Sequence, residues 1–574
     1  MRYPVSFAQR RLWALDRLVP DDPASHLCHA TWLDGPVDPV ALQRAMDAVV
    51  DRHAVLRTSV VAFDGEPEQV VDDTGRVLID HVVLPGAAED VERAESIAAE
   101  LAVRPFDLAR GPLLRSTVVE VGGDRWLFVV VAHRIVADDT AVAIVLDELS
   151  TVYRSGVAAL SRTWMDYGDY AVWQRERLRG EELERQLDYW RAALRGVPEK
   201  VALPNGAHRL TPSSRGGLAT AALDPTSLPL LADLALGVGA ALSTAFLTGY
   251  AVVLSRYAGQ SDLVIGVPVS GRIRVELEPI VGPFADLVPV RVSLAGAPTF
   301  AQLLDRVRDA VEQALAHDEL PLDKLAEELG IDLPGNAVRF AFEDPPTPTL
   351  DLPGVAQGSR VPLGRTAHAD FDLTASADGA VTLGYRADLL AAPFADWFLR
   401  SVVTVLELAG RTPDLPVADL PLPPVEEGVI PAAQPAADNR VAPRDAVEET
   451  MARIWAELLR TTEPIGVHDS LFGLGGGSLT AVRFAARIAD TYGVNLRLHN
   501  IFTAPTIAEL AKIVSAELDP APAAETAPAE ETARNGEAAH DTELGELSDD
   551  ELDDLLRAVM ATRDRRRTAR GDAP

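Results

Sequence analysis

Apolar residues in the first three quarters of the chain form two kinds of run. Those at 126–132, 262–269 and 287–294 are rich in Val, Ile and Leu, which predicts strands covered on both faces of a sheet. The segment STAFLTGYAVVLSRYAG, at 243–259, has helical spacing instead. A second helical stripe consists of Val142, Val145, Leu146, Leu149 and Val152. Mixed helices and buried strands predict an α/β fold over residues 1–422.

The rest of the chain divides by composition. Residues 423–445 form a Pro/Ala-rich linker, and 446–517 form a helical unit. Its first helix has an apolar stripe of Val447, Met451, Ile454, Trp455, Leu458 and Leu459. Residues 518–541 are disordered by composition, and 542–574 predict a C-terminal helical tail, in which Ser548 and Glu551 form a capping box. That helix packs either on the chain's own surface or on a partner protein.

Charge and cysteine content limit the class of protein. A net charge of −33 in 574 residues argues against nucleic acid or an anionic membrane as the main partner. The single cysteine, Cys28, excludes an internal disulfide and a cysteine metal cluster, and fits a reducing compartment. No run has the length of a signal peptide core or a membrane span. We therefore expect a soluble, cytoplasmic protein.

The segment LFGLGGGSLTAVRFAARI, at 471–488, places Ser478 after three glycines at the start of a helix. A serine there presents its hydroxyl to solvent, and the helix end favours an attached phosphodiester. An ordinary N-cap serine is the other interpretation. The wider pattern D-S-L-F-x-L-G-G-x-S-L, followed by IFTAPTIAEL at 501–510, makes a modification site the better one.

These residues closely resemble the peptidyl carrier domains of nonribosomal peptide synthetases. The resemblance implies a four-helix bundle over 446–517 and 4′-phosphopantetheine attached to Ser478 by a phosphopantetheinyl transferase. The thiol of that group carries the growing chain as a thioester. Gly477 stands at the variable position before the serine, where family members often have His or Asp.

The first 422 residues resemble the condensation domains of the same synthetases. The resemblance rests on SFAQRRLW (6–13), RHAVLRTS (52–59), RPFDLARGPLLR (104–115), YGDYAVWQRE (167–176), GVPVSGRIRVELEPIVGPF (266–284) and HDELPLDKL (317–325). It implies a two-lobed fold like chloramphenicol acetyltransferase, with lobes of about 1–175 and 176–422 and a tunnel between them. The segment GIDLPGNAVRF, at 330–340, departs from the family pattern.

The central family motif, H-H-x-x-x-D-G, becomes HRIVADD at 133–139. In the family the second histidine takes a proton from the attacking amine or stabilises the tetrahedral intermediate. Here Arg134 stands in its place. Arginine has donors but no acceptor, and its pKa lies above about 12. Arg134 therefore cannot be the base, although catalysis by proximity remains open.

Each neighbour of Arg134 has a structural interpretation. We expect His133 to hold the loop by hydrogen bonds and Asp138 to pair with Arg272, as the resemblance implies. Asp139 replaces a glycine directly before a helix, so it can be an N-cap or form an ion pair with Arg134 that closes the tunnel. The ligand spacing for a metal is missing, and no G-x-S-x-G elbow follows a strand.

The combination H-R-x-x-x-D-D is similar to the X domain of glycopeptide-antibiotic synthetases, a condensation fold that has lost peptide-bond formation. That domain recruits cytochrome P450 enzymes to a carrier-bound peptide. There the carrier precedes the X domain, whereas here it follows. One hypothesis is therefore a platform that recruits a P450 or another oxygenase to cargo on Ser478.

The alternative is an atypical but active condensation domain, which joins an upstream donor to the acceptor on Ser478 in an amide or ester bond. His133 or proximity would then replace the lost base. Both hypotheses imply other synthetase modules and an adenylation enzyme in trans.

Overall fold

The computed structural model describes residues 1–518 with gaps. The C-terminal tail, the linker 518–541 beyond its first residue and most of the linker 423–445 lie outside the described residues. The gaps are 19–20, 64–65, 88, 161–162, 199–200, 202–215, 332–336, 344–349, 362–366, 368, 388, 425–440, 460, 462–463, 470, 472–473, 475–477, 495, 497–499, 502–503 and 505.

The elements up to residue 193 alternate between strands and helices. In chain order they are β1 (Arg2–Pro4), α1 (Phe7–Leu18), β2 (His26–Asp34), α2 (Pro39–Arg52), β3 (Thr58–Phe63), β4 (Glu66–Val71), β5 (Ile79–Val83), α3 (Asp90–Val103), β6 (Leu114–Glu120), β7 (Arg125–His133), α4 (Asp139–Ser155), α5 (Tyr167–Arg177) and α6 (Gly180–Ala193).

The second half of the condensation-like region and the carrier region follow. Their described elements are β8 (Gly216–Ala222), α7 (Ser227–Gly237), α8 (Leu242–Ala258), β9 (Asp262–Val269), β10 (Asp286–Ser293), α9 (Phe300–Leu315), α10 (Leu322–Leu329), β11 (Val338–Glu343), β12 (Ala356–Arg360), β13 (Phe371–Ser376), β14 (Ala380–Arg386), α11 (Ala392–Arg411), α12 (Ala446–Leu458), α13 (Ser478–Tyr492) and α14 (Ile507–Leu518).

The first lobe is built on a five-stranded sheet of order β12-β2-β7-β6-β5. Its central strand β7 is apolar at nearly every position because helices cover both faces. Phe128 and Val130 face a core shared with α2 and α4, whereas Val129 and Val131 face α3. The register pairs His26 with His133 at the end of β7, where the HRIVADD loop begins. Buried packing on both faces thus fixes where that loop emerges.

The second lobe is built on a six-stranded sheet of order β10-β9-β11-β13-β14-β8. Strands β11 and β13 pair in parallel, and Arg339 lies beside Asp372. Alternate residues such as Val338, Phe340 and Leu373 are buried in the core with helices α8 and α11. Because successive side chains in a strand point to opposite faces, Arg339 and Asp372 lie on the face away from that core.

The lobe boundary was expected near residue 175, but two later segments of the chain return to the first lobe. Leu277, Ile280 and Phe284 join the core of the first lobe, and β12 pairs with β2 at the edge of the first sheet. A single cut therefore does not separate the lobes. Sequence patterns predict that a strand is buried but not which sheet it joins, because its pairing depends on contacts distant in the chain.

The carrier region has its own hydrophobic core, to which all three of its described helices contribute. Met451, Ile454 and Trp455 are buried in it, as the apolar stripe of the first helix predicts. Phe484 meets Trp455 edge-on, with ring centroids 5.7 Å apart. This separate core supports the expectation of a carrier unit distinct from the two lobes.

The length and hydropathy of the described helices bear on whether one of them could span a membrane. Among the described helices, no single one has the length and hydropathy of a membrane span. Helices α7 and α8 meet these criteria only as a pair, across a 103° bend.

Candidate functional site

The HRIVADD loop is held at both ends by backbone hydrogen bonds. The N–H of His133 donates to the carbonyl of Leu113 at 2.9 Å, and that of Arg134 donates to the carbonyl of Ser25 at 2.8 Å. At the other end of the loop, Asp138 caps α4 by accepting from the N–H of Ala141 at 2.7 Å. The N-cap is therefore Asp138. The interpretation of Asp139 as the cap is wrong, because Asp139 is already the first helical residue.

His133 is almost completely buried, with 1% of its surface exposed. Its Nδ1 accepts a hydrogen bond from the N–H of Ile135 at 3.0 Å, so the neutral ring carries its proton on Nε2. Burial, followed by the nearby charges of His26 and Arg134, lowers the pKa of His133 to about 3. The ring is thus neutral near pH 7, and its lone pair is already used. His133 has no acceptor left for the proton of an attacking amine.

Asp138 lies at the junction of the two lobes. Its carboxylate accepts from Arg272 through Nη1 at 2.8 Å and Nη2 at 3.1 Å. The backbone N–H groups of Phe284 and Ala285 donate to the same carboxylate at 3.0 and 2.9 Å. With the helix cap, these bonds use both oxygens, which leaves Asp138 a structural link rather than a free base.

Arg134 follows His133 in this loop, and 29% of its side chain is exposed. Its Nη1 lies 3.7 Å from Oδ2 of Asp139, whose side chain is 86% exposed. At that distance and exposure the pair contributes little. Burial lowers the pKa of Arg134, whereas Asp139, Asp138 and Asp372 raise it, and Arg11 lowers it. The guanidinium remains a cation at neutral pH and offers donors only.

Three residues around Arg134 were missed by sequence reasoning: Arg11, Arg339 and Asp372. Arg11 on α1 pairs with Asp323 on α10 at 2.7 Å. Asp372 lies beside Arg339 in the sheet register and within electrostatic reach of both Arg339 and Arg134. The only sequence signal was a charged residue inside an apolar strand, as in AVRFAFE (337–343) and FDLTAS (371–376). A charged residue in an apolar strand indicates that one face of the strand is polar, but it does not indicate which residues pack against that face.

Ser478 is the first residue of α13, directly after the glycine-rich segment. This placement fits an attached phosphodiester, because the N-terminal end of a helix presents backbone N–H groups and a positive dipole. The side chain of Ser478 lies outside the described residues. Further along α13, Arg483 donates through Nη1 to the carbonyl of Gly330 at 3.1 Å. Leu15 on α1 packs against the carrier core. The carrier therefore contacts the condensation-like region at α1 and at the end of α10.

Metal ligation has no support in the described part of the chain. No group of three or more His, Cys, Asp or Glu side chains there could hold a metal ion.

Both regions of the chain match models of known protein families. The condensation domain model matches residues 1–428, and the phosphopantetheine attachment site model matches residues 449–514, which include Ser478. A linear gramicidin synthase of Brevibacillus parabrevis is 38% identical over 57% of this chain. The phosphinothricin tripeptide synthetase PhsB of Streptomyces viridochromogenes is 34% identical over 81% of it. This chain spans 4% and 40% of the length of these relatives.

Solved structures show the same fold. The complex of the X-domain and OxyB from teicoplanin biosynthesis is 28% identical with a TM-score of 0.66, covering 74% of this chain and 97% of that one. The condensation domain of the monacolin K polyketide synthase MokA is 24% identical with a TM-score of 0.65, covering 73% and 99%. The chain belongs to the condensation-domain family of nonribosomal peptide synthetases and carries a phosphopantetheine-bearing carrier domain after it.

Proposed function

We propose that this chain is a recruitment platform in a nonribosomal peptide synthetase. In this proposal Ser478 holds an aminoacyl or peptidyl thioester, and the condensation-like domain has lost peptide-bond formation. A tailoring enzyme such as a P450 docks on that domain and acts on the cargo. The observation that carries the proposal is Arg134, a cation in the place of the family's second histidine.

The chemistry of the neighbouring groups supports the loss of condensation. Amide formation requires an acceptor for the amine proton near the thioester carbonyl. Arg134 has none, and the lone pair of His133 accepts from Ile135. Asp138 is occupied by Arg272 and three backbone N–H groups. Asp139 is turned to solvent. Among the described residues of the motif, no free base remains.

The recruited partner is proposed from the likeness to the teicoplanin X-domain, which was solved in complex with OxyB. At 28% identity the likeness extends beyond fold alone, and the H-R-x-x-x-D-D motif of this chain, which resembles that of X domains, adds to it. The platform acts with a phosphopantetheinyl transferase, an adenylation enzyme in trans and other synthetase modules, in the cytoplasm. The phosphopantetheine group supplies the thiol that holds the cargo as a thioester.

The second candidate function is an atypical condensation enzyme. It is favoured by the carrier, which follows the condensation fold and contacts it through Arg483 and Leu15. A carrier seated there could deliver an acceptor amine to the lobe interface. The two candidates differ in one measurable outcome. The condensation enzyme forms a peptide or ester product on the carrier at Ser478, whereas the platform forms none.

Reconstitution with a donor carrier tests both candidates. The full chain is loaded on Ser478 with an aminoacyl group, mixed with an acylated donor carrier and analysed by intact mass spectrometry. The platform predicts no condensed product from the parent protein. It also predicts none from Arg134→His, because Arg11 and Arg339 lie within electrostatic reach of this position and disfavour a proton on a new histidine there. Condensed product from the parent would overturn the platform, and Ser478→Ala is the control for loading.

Docking is tested with the phosphopantetheinylated chain and purified P450 enzymes from the producing organism. Binding is read from co-elution of thiolate-ligated haem, identified by its carbon monoxide difference spectrum. The platform predicts that residues 1–422 suffice for co-elution. Failure of every such P450 or oxygenase to bind, together with condensed product, would establish the enzyme instead.

A further inference from the structure

Two ion pairs between the lobes differ in their exposure to solvent. The side chains of Arg272 and Asp138 are 4% and 5% exposed. Those of Arg11 on α1 and Asp323 on α10 are 28% and 37% exposed, and the pair is 2.7 Å long. Asp286 on β10 adds a second attractive charge for Arg11. Breaking an ion pair that is open to solvent costs much less than breaking a buried one, so the Arg11–Asp323 pair is the weaker link.

Helices α1 and α10 belong to different lobes. Leu12 of α1 is buried in the core of the first lobe, and Trp13 packs against that core. Leu322 and Leu325 of α10 are buried in the core of the second lobe. Phe7, in the first turn of α1, packs against this second core as well. The two helices therefore meet where the lobes meet, and their contact reports how close the lobes are.

The carrier touches both helices beyond the point where they pair. Leu15 packs against the carrier core, and it lies about 6 Å further along α1 than Arg11. Gly330 ends α10, about 10 Å beyond Asp323, and its carbonyl accepts from Nη1 of Arg483 in α13 at 3.1 Å. Carbonyls at the end of a helix carry partial negative charge, which favours a guanidinium there. One carrier contact thus lies on each lobe.

Contacts on both sides make carrier seating depend on the arrangement of the lobes. If α1 and α10 move apart, a rigid carrier core cannot keep both the Leu15 packing and the bond from Arg483 to Gly330. The seated carrier therefore favours the arrangement in which the two helices lie together, as a ligand favours the state that it binds more tightly. Such a coupling is reciprocal, so separating the lobes must also weaken carrier seating.

We propose that the carrier domain holds the two lobes together. Seated on α1 and α10 it keeps these helices in contact, and its release lets them move apart around the Asp138–Arg272 link. The proposal goes beyond both candidate functions, because it needs neither bond formation nor a docked enzyme. It makes the carrier a regulator of the space between the lobes as well as a holder of cargo.

The experiment measures the lobe separation in the full chain. Ala99→Cys on α3 and Arg400→Cys on α11, both at exposed helical positions of different lobes, carry nitroxide labels in a Cys28→Ala background. The chain is used before phosphopantetheine is attached, so that only the two introduced thiols react. Double electron–electron resonance then gives the distribution of distances between the labels.

The test variant combines Leu15→Ala with Arg483→Ala, which removes one carrier contact on each lobe. We expect a second population of label distances, longer by more than about 2 Å than that of the parent. Its share should rise about five-fold or more, as is typical of coupling between two sites. The same distance distribution in the parent and in this variant would overturn the proposal.

Three further variants separate loss of the contact from loss of folding. Arg487→Ala breaks an ion pair inside the carrier, and Leu315→Ala trims a leucine on α9 that is 43% exposed. Both should give the distances of the parent, and an equal lengthening in these controls would contradict the carrier contact as the cause. Leu15→Met with Arg483→Lys keeps an apolar and a cationic side chain at the contact and should restore the parent distances.

Reciprocity gives a second measurement on a residue outside the carrier contact. Arg11→Gln weakens the link between α1 and α10, and labels at Arg400→Cys and Glu449→Cys, an exposed position on α12, follow the carrier relative to the second lobe. We expect this variant to broaden the distances between carrier and lobe. Separated lobes with an unmoved carrier would overturn the coupling. Neither outcome alters the tests of condensation or docking, which are read from a product and from bound haem.

Discussion

Two buried arginines, Arg272 and Arg339, lie at the lobe interface in opposite states. Both have an Nε without a hydrogen-bond partner. The terminal nitrogens of Arg272 bind Asp138 at 2.8 and 3.1 Å, and the carbonyl of Ile280 accepts from Nη2 at 3.1 Å. Arg339 makes no such bonds within the described residues. The first arginine fastens the lobes by hydrogen bonds, whereas the second acts on the neighbouring Asp372 only through its charge.

Removing the partner of Arg272 should have the largest effect. Asp138→Ala would leave a guanidinium that is 4% exposed without its counter-ion and would remove the cap of α4. We expect the free energy of unfolding to fall by about 3–5 kcal/mol, measured by chemical denaturation. The neighbouring change Asp139→Ala serves as the control and should cost about 0.5 kcal/mol or less, because that side chain is exposed. Similar losses for both variants would contradict the structural role of Asp138.

The second prediction concerns the pH dependence contributed by His133. Its pKa is about 3 in the folded protein and about 6.5 in the unfolded chain, so the unfolded state binds more protons between these values. Its contribution to stability is complete above about pH 6.5 and is lost as the pH falls towards 3.

The comparison with His133→Asn isolates this contribution. Below about pH 6.5 the parent should lose up to about 1.4 kcal/mol of unfolding free energy per pH unit more than the variant. The asparagine oxygen can still accept from Ile135, and the other buried histidines remain in both proteins. Parallel pH profiles, measured by urea denaturation, would show that His133 titrates normally.

The third prediction compares the two arginines directly. Arg339→Met should lower the free energy of unfolding by about 1 kcal/mol or less, because its Nε has no hydrogen-bond partner and Asp372 keeps the nearby charge of Arg134. The matched variant Arg272→Met should lower it further, because Asp138 then loses its hydrogen-bonded counter-ion. If both substitutions destabilise the protein to the same extent, Arg339 fastens the lobes like Arg272 and the contrast between them disappears.

The smallest effect is expected at the carrier contact. Arg483→Ala removes one hydrogen bond to the carbonyl of Gly330, which contributes about 0.5–1.5 kcal/mol. We expect faster tumbling of the carrier relative to the lobes, measured by NMR relaxation, with no loss of Ser478 loading. Arg487→Ala is the control, because Arg487 pairs with Glu457 inside the carrier at 2.8 Å. Faster tumbling in the control alone would contradict the contact.

Much of the architecture could be predicted from the sequence. The strand predicted at 262–269 is β9 with the same bounds, and the helix predicted at 243–259 is α8, Leu242–Ala258. Ser478 begins a helix, as the glycine-rich motif indicates. These features depend on hydrophobic periodicity and local turn chemistry, which are properties of short segments. The exclusion of Arg134 as a base is also a property of one side chain, independent of its surroundings.

Tertiary structure decided the rest. The pairing of β12 with β2, the capping role of Asp138 and the tautomer of His133 depend on atoms brought together from distant segments. Arg339 and Asp372 were ordinary charged residues in the sequence. Parallel pairing of β11 with β13 placed them side by side, within electrostatic reach of Arg134 of the other lobe. Local patterns determine which face of a strand is polar, but the partner of that face is fixed by packing across the whole chain.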